Sequence, residues 1–228
     1  MLNMKKIFQL INKNLSFFSL AGFQKKDKKP KPLPVITLSR EKGSGGKLIA
    51  DLVAKKLGKN WKVYHKEIIE KIAQETKLEK ELISQIDEKN ISLVEKLIGD
   101  FLGKHHPPLS TYYRQLIKIL SQINQRGYAV IVGRGAEYLL PQALKIRIIC
   151  EMEQRIKWLM QFEKLSRKQA LEQIEKSDTE RLNFIKTLYK HDQRKAHHYD
   201  LVIRTGPNLS LEDAADLIVS LVKKRFKI

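Results

Sequence analysis

Residues 35–53 of this 228-residue chain read VITLSREKGSGGKLIADLV, and this stretch decides the fold. Val35 to Leu38 form a short run of β-branched and apolar residues, which is typical of a buried strand. Glycines follow at once, and apolar residues then recur at helical spacing until Gly58, where the helix is expected to end in a left-handed conformation. A strand that passes through a glycine turn directly into a helix predicts one unit of an α/β fold.

The same alternation continues along the chain. Tyr128 to Val132 is apolar or small throughout, as in strands that are buried on both faces of a parallel sheet. The expected architecture is therefore α/β, with a parallel β-sheet flanked by helices on both faces. We predict further strands at residues 61–64, 128–132, 145–150 and 201–203, and helices at residues 111–126 and 211–226.

Composition limits the class of protein. The chain has 44 Lys and Arg against 25 Asp and Glu, for a net charge of +19, and it is 42% hydrophobic, which is enough for a buried core. Its single cysteine, Cys150, excludes an intrachain disulfide and favours a reducing compartment. No apolar run reaches the roughly 18–20 residues that a membrane-spanning helix needs. We therefore expect a cytoplasmic protein.

Residues 1–34 differ in composition from the rest of the chain. They contain eight lysines and one acidic residue, and Pro30, Pro32 and Pro34 predict an extended linker. The apolar residues between Ile7 and Phe23 fit a short helix with one apolar face. An unstructured basic extension is the first interpretation, and the alternative that this pattern beside lysines suggests is peripheral contact of residues 1–29 with an anionic membrane or a protein. We predict a basic extension and linker over residues 1–34 and a folded domain over residues 35–228.

The turn after the first strand predicts a phosphate site. In such a turn, backbone N–H groups converge on an anion, and the helix N-terminus supplies partial positive charge. A purely geometric use of the glycines is the alternative. The residues concerned are Gly43, Ser44, Gly45, Gly46 and Lys47.

This turn is a degenerate match to the phosphate-loop pattern G-x-x-x-x-G-K-[ST]. Gly46 and Lys47 are kept, whereas Glu41 stands in place of the first glycine and Leu48 in place of the hydroxyl residue. Leu48 offers no ligand to magnesium. The turn alone therefore does not decide the function.

Arg134 is the second candidate phosphate ligand. It follows an apolar strand in the segment VIVGRGA, residues 130–136, so it is expected to open into the crevice at the carboxyl end of the sheet. The planar guanidinium group matches a phosphate bidentately.

Two further arginines lie C-terminal to this strand. Arg155 falls in the first turn of the helix after residues 145–150, and a surface position is its alternative. Asp178 and Arg181 are three residues apart and therefore share one helical face. On that face the carboxylate is available to a ribose hydroxyl and the guanidinium to a phosphate, and the alternative is a solvated ion pair.

These segments together resemble the cytidylate kinase-like family of P-loop nucleoside monophosphate kinases, from about Val35 to the C-terminus. That family is similar in having a non-glycine residue at the start of its loop and no fixed Ser or Thr after it. Residues 64–67, YHKE, resemble a family segment that reads Asp, then Arg or Lys, then Glu, with an ordinary exposed loop as the alternative. His65 departs from that pattern, and Gly135 replaces an aspartate that helps to read the base in cytidylate kinases.

The resemblance implies a P-loop NTPase-type sheet with a helical acceptor-binding insert over residues 66–126 and a helical lid over residues 165–198. It implies ATP as the phosphoryl donor, CMP or dCMP as the acceptor, and Mg²⁺ held mainly by the nucleotide phosphates and water. No protein metal ligand is predicted. The predicted catalytic residues are Lys47, Arg134, Arg155 and Arg181. The predicted donor-binding residues are Gly43, Ser44, Gly45, Gly46 and Lys47. The predicted acceptor-binding residues are Arg40, His65, Lys66, Glu67, Arg134, Asp178 and Arg181.

Two other classes of function stay open. A nucleotide-binding regulatory protein with the same fold and no kinase activity is favoured by Leu48, His65 and Gly135. The net charge permits nucleic-acid binding through phosphate contacts. However, the chain shows no recognition motif, and its aromatic residues amount to 7% without clusters for base stacking, so no specific nucleic-acid binding is expected.

Overall fold

A parallel sheet is the scaffold that positions the site. The computed structural model describes residues 33–65, Ile68 and residues 109–228. Predictions for residues 1–32, for Lys66 and Glu67 and for most of the acceptor insert lie outside this part of the chain. The strands are β1 (Val35–Arg40), β2 (Lys62–Tyr64), β3 (Ala129–Val132), β4 (Leu144–Cys150) and β5 (Leu201–Thr205). They are all parallel and follow the order β2-β3-β1-β4-β5.

Helices cover both faces of the sheet, as predicted for an α/β fold. The described helices are α1 (Gly46–Leu57), α2 (Leu109–Arg126), α3 (Ala136–Leu139), α4 (Met152–Glu163), α5 (Arg167–Tyr189) and α6 (Leu211–Phe226), with a 3₁₀ turn at Ala196–His198. Gly58 ends α1 at φ 106° and ψ 178°, so it is not in the left-handed helical conformation that we expected. Glycine is still favoured there because its φ is positive.

Alternating residues of β1 enter two separate cores. Ile36 and Leu38 are fully buried against α1 and α6 on one face. Val35 belongs to the core on the other face, where α2, α3 and α5 pack. Burial on both faces explains why the strands read as nearly continuous apolar runs. Each buried Ile or Leu contributes about 1.5–3 kcal/mol relative to exposure.

The central position of β1 fixes the place of the site. Because β1 pairs with β3 on one side and β4 on the other, the loops after all three strands meet at one edge. The register pairs Leu38 with Val132 and Arg40 with Ile148. Ligands of open α/β sheets bind at such a switch point, outside the carboxyl ends of the strands.

Helices α4 and α5 form a pair beside this edge. Ile156 and Leu159 of α4 pack against Ala170 and Ile174 of α5. Ser166 begins α5 with a capping box, in which its Oγ accepts from the backbone N–H of Gln169. No helix in the described part of the chain is long and apolar enough to cross a membrane.

Candidate active site

The glycine loop lies between β1 and α1 and needs its glycines for close packing. Gly43 and Gly45 both have φ +79°, in the left-handed region. A Cβ atom on Gly45 would lie 2.4 Å from Leu211 Cδ2, and one on Gly46 would lie 2.6 Å from Arg40 Cβ. Gly45 is also the N-cap of α1 and makes no side-chain cap, so the orphan N–H groups of the first turn are available to a ligand.

Ser44 supports the loop from within. Its Oγ donates to the carbonyl oxygen of Glu41 at 2.9 Å, and its own carbonyl oxygen accepts from Thr205 Oγ1 at 3.0 Å. The residue is fully buried. Its backbone N–H also donates to the carbonyl oxygen of Glu41, at 3.4 Å, so the hydroxyl and the backbone of Ser44 both hold the shape of the turn.

Arg155 lies behind the loop and is buried. Its Nε donates to the carbonyl oxygen of Lys42 at 2.6 Å, its Nη2 pairs with Asp178, and its Nη1 lies 3.7 Å from Glu41 Oε2. The side chain is only 6% exposed, so the alternative of a surface arginine is wrong. The structure thus places this predicted catalytic arginine on the backbone of the loop.

Asp178 binds the loop from the side of α5. Its Oδ1 accepts from the backbone N–H of Lys42 at 2.9 Å and lies 3.5 Å from Arg181 Nη1, while Oδ2 pairs with Arg155. Both carboxylate oxygens therefore have protein donors. A ribose hydroxyl would have to compete with them, and the pair with Arg181 is part of a network rather than an isolated solvated pair.

Four cationic side chains surround His65. Arg40 Nη2 donates to His65 Nε2 at 3.2 Å. Burial, followed by the charges of Arg40, Arg134, Lys47 and Arg181, lowers the pKa of His65 to about 3. The imidazole is therefore neutral at pH 7 and accepts from Arg40. The structure brings together these four predicted site residues, which are far apart in the sequence.

Arg134 stands on an unusual turn after β3. Gly133, Arg134 and Gly135 have φ values of +80°, +62° and +65° in succession. The carbonyl oxygen of Arg134 accepts from the hydroxyl of Tyr189 at 2.8 Å. Burial, followed by the charges of Arg40 and Arg181, lowers the pKa of Arg134 to about 9. The guanidinium therefore stays charged at neutral pH. A non-glycine residue in this conformation costs of order 1–3 kcal/mol and is typical of functional sites.

The convergence of these cations points to an anionic ligand. Like charges held close together oppose one another, and an anion between them removes this repulsion. Guanidinium groups, a lysine and a helix N-terminus are the groups that proteins use to bind phosphate. The arrangement can therefore hold phosphoryl groups at the switch point of the sheet.

A cavity of about 320 Å³ opens above the glycine loop. One wall is apolar and is formed by Trp158, Leu159 and Phe162 of α4 together with Leu211. Lys47 and Arg181 contribute positive charge to the same cavity. An apolar wall beside cationic groups suits a ligand with a flat ring and phosphates, and the volume is within the range of small-molecule sites.

The loop offers Mg²⁺ no carboxylate of its own. The carboxylate of Glu41, at the start of the turn, accepts from the backbone N–H of Cys150 at 3.0 Å and lies 3.7 Å from both Arg147 and Arg155. Leu48 stands where a hydroxyl would be needed and is 52% exposed. Over residues 33–65 and 109–228, no three His, Cys, Asp or Glu side chains lie together as a metal site. The donor set fits phosphate groups, and the way in which Mg²⁺ is held stays a prediction.

Sequence reasoning missed three residues of this region. Glu41 departs from the loop pattern, and its charge predicts a cationic partner without indicating that Arg147 and Arg155 fill this place. Tyr189 and Glu137 gave no signal, because a tyrosine and a glutamate in helices are ordinary. Their positions beside Arg134 follow only from the fold.

Sheet order, glycine loop and clustered arginines define the class as a P-loop kinase fold. The chain belongs to the cytidylate kinase-like family, whose model matches residues 35–207. Among curated proteins, no sequence matches the chain. Family and fold together support nucleotide kinase activity.

Several solved structures are similar to the chain. A crystal structure of an uncharacterized protein from Eubacterium ventriosum is 22% identical with a TM-score of 0.62, covering 83% of this chain and 98% of that one, and it shows the same fold. Shikimate kinase from Acinetobacter baumannii is 14% identical with a TM-score of 0.43, covering 84% and 94%. Dephospho-CoA kinase from Campylobacter jejuni is 16% identical with a TM-score of 0.42, covering 85% and 99%. The last two scores are too low to add to the assignment.

Proposed function

We propose that the protein transfers a phosphoryl group from ATP to a nucleoside monophosphate, with CMP and dCMP as the first acceptors to test. The observation that carries this proposal is the convergence of Arg40, Lys47, Arg134 and Arg181 around His65, beside the glycine loop and the smaller cavity next to it. Phosphoryl transfer needs little covalent chemistry from a protein. It needs two anionic substrates held in line and positive charge where the transferred group develops its own.

The donor fits the cavity above the loop. The backbone N–H groups at residues 43–47 and the Lys47 ammonium would hold its phosphates, and the base would rest against Trp158 and Phe162. Mg²⁺, when bound, would neutralise charge between the phosphates. Arg155 and Asp178 would keep the loop in the receiving shape rather than contact the donor.

The acceptor phosphate fits the arginines on the β3 side of the loop. Arg134 leaves the carboxyl end of β3, and Arg181 lines both the donor cavity and a smaller one next to Arg134. The acceptor-binding roles of Lys66 and Glu67 remain predictions from the sequence. CMP and dCMP are chosen because of the family to which the chain belongs.

Turnover with defined substrates tests this proposal. The purified full chain is incubated with ATP, Mg²⁺ and each common nucleoside monophosphate, and ADP is measured. We expect activity with at least one acceptor and a loss of about a hundredfold or more in Lys47→Ala, because one donor to the transferred group is removed. Lys55→Ala is the matched control, since Lys55 is exposed on the same helix. No ADP above the Lys47→Ala level with any acceptor would overturn the proposal.

Leu48 favours a second candidate, a nucleotide-binding regulator without turnover. An exposed leucine at the position of the magnesium-binding hydroxyl leaves the protein with one ligand fewer for the metal. This candidate predicts that ATP binds the wild type and that Lys47→Ala weakens binding, while no acceptor is phosphorylated. Calorimetric titration with ATP beside the turnover assay separates the two.

A further inference from the structure

Glu137 is a buried acid that the proposed mechanism does not use. It lies on α3, is 3% exposed, and lines a small cavity of about 20 Å³. Within the described part of the chain, no group lies at hydrogen-bond distance from its Oε2 atom. A buried polar atom in a native protein nearly always has a partner. The cavity is also lined by Ser39, Arg40, Arg134, Gly135, Arg181 and Gln193.

The groups around Glu137 do not fully offset the cost of burying its ionised carboxylate. Burial raises its pKa, and its own backbone N–H and the charges of Arg147, Arg40 and Lys145 offset this rise only in part, so that the pKa is about 7. The acid is therefore held at the threshold of ionisation near neutral pH. A hydrogen-bond donor brought into the cavity would stabilise the carboxylate.

Position 135 is closed to an acid. In cytidylate kinases an aspartate at this place helps to read the base, as the resemblance implies. Here a Cβ atom on Gly135 would lie 2.1 Å from Tyr189 Cε2, and φ is +65°. No side chain can be accommodated at residue 135 while Tyr189 holds the carbonyl of Arg134. Glu137, two residues later, is an acid that lines the same cavity.

We propose that Glu137 is a specificity-determining residue of the acceptor site, whose Oε2 accepts a hydrogen bond from a hydroxyl or amino substituent of the nucleotide. This inference rests on the proposed function, because Arg134 and Arg181 hold the acceptor phosphate there. A cavity of about 20 Å³ admits a single polar group or one water molecule, whose minimum is about 10–15 Å³. One substituent of the acceptor therefore enters the cavity, and its rings stay outside.

Binding of three acceptors to the wild type tests the proposal without any variant. Calorimetric titration with CMP, dCMP and UMP compares a ribose hydroxyl with its absence and an amino group with a carbonyl oxygen. Loss of a hydrogen bond to a charged group weakens binding by about tenfold to a hundredfold. We expect a loss of this size for dCMP if the donor is the hydroxyl, or for UMP if it is the amino group. Equal affinities for all three would overturn the proposal.

Two variants assign the preference to Glu137. Glu137→Gln removes the charge at constant size, and Glu137→Met removes the acceptor oxygens at similar length. The matched control is Glu172→Gln, an exposed glutamate of α5. We expect the wild-type affinity ratio to fall about tenfold or more in both Glu137 variants and to be unchanged in the control. A purely structural role would weaken all three acceptors equally and keep the ratio, which would overturn the proposal.

The proposed function and this inference fail in different ways. If the wild type phosphorylates or binds monophosphates and the Glu137 variants keep the affinity ratio, the inference alone is overturned. If the wild type neither binds nor phosphorylates any of them, both are overturned.

Discussion

Gly135 is fixed by two independent constraints, its positive φ and the ring of Tyr189. We expect Gly135→Ala to lower the free energy of unfolding by about 2–4 kcal/mol, because a left-handed alanine and a forced contact each cost energy. Urea denaturation followed by circular dichroism measures the change. Gly206→Ala is the control, since nothing lies within 4 Å of a Cβ there, and its effect is expected within about 0.5 kcal/mol. Equal midpoints for both variants would contradict this account of the turn.

His65 gives the protein a defined response to acid. Its pKa is about 3 in the folded state and about 6.5 in the unfolded chain, so between these values only the unfolded chain binds the proton. The free energy of unfolding therefore falls as the pH drops below about 6.5. We expect His65→Gln to lose less stability than the wild type between pH 7 and pH 5, in urea titrations at both values. Parallel losses would show that burial and the neighbouring cations do not hold His65 neutral.

Local context in the sequence was sufficient to predict where Lys47 and Arg134 lie, and their roles stay predictions. Lys47 and Arg134 follow buried strands, and the end of a parallel strand is where ligands bind. The partners of Arg155 were not predictable, because its bond to Lys42 joins residues 113 positions apart. The same holds for Asp178, which binds the backbone of Lys42 across 136 positions. Charge and spacing indicate that a side chain has a partner, and only the fold decides which one.

At the scale of elements, the pair α4 and α5 is fastened to the glycine loop through Asp178. We expect Asp178→Ala to destabilise the protein by about 1.5–3 kcal/mol, since it removes hydrogen bonds to a guanidinium and a backbone N–H. We also expect the KM for ATP to rise, because the loop loses a support. Urea denaturation and steady-state kinetics measure the two effects.

The control for this variant removes an exposed ion pair from the same helices. Glu153→Gln breaks the pair with Arg167, in which both side chains are more than half exposed. Its effect is expected to be small, because solvent screens an exposed ion pair. If Asp178→Ala lowered the free energy of unfolding no more than Glu153→Gln does, the contact of Asp178 with the loop would not stabilise the protein.

Apolar periodicity predicted most helices and strands. It did not predict the short helix α3 or the division between α4 and α5. The strands and the helices α2 and α6 carry clear apolar patterns, and they occur where expected within a few residues. The short helix α3 has too few residues to show a period. The division between α4 and α5 was signalled by Ser166 and Gln169, whose spacing is that of a capping box. Long charged helices hide such a break because both sides of it are polar.

At the scale of the whole molecule, the charge is unevenly distributed along the sequence. Residues 1–34 contribute eight lysines and one acid. Surface attachment through this extension remains a prediction. We expect removal of residues 1–33 to abolish binding to anionic vesicles at low salt while ATP affinity is kept, because electrostatic attraction to anionic lipid depends on these lysines.

Co-sedimentation with vesicles of anionic and of neutral lipid measures this binding. The neutral vesicles are the control for adhesion that does not depend on charge. Equal sedimentation of the full and shortened chains with anionic vesicles would show that the extension does not mediate membrane binding.

Helix α5 touches both halves of the catalytic crevice. Asp178, in its middle, holds the loop after β1, and Tyr189, at its end, holds the turn after β3. These two contacts lie eleven positions apart on one helix, which spans about 16 Å at 1.5 Å per residue. A tilt of α5 would displace the loop after β1 and the turn after β3 together, so under the proposed function a ligand bound at one of them would alter the other.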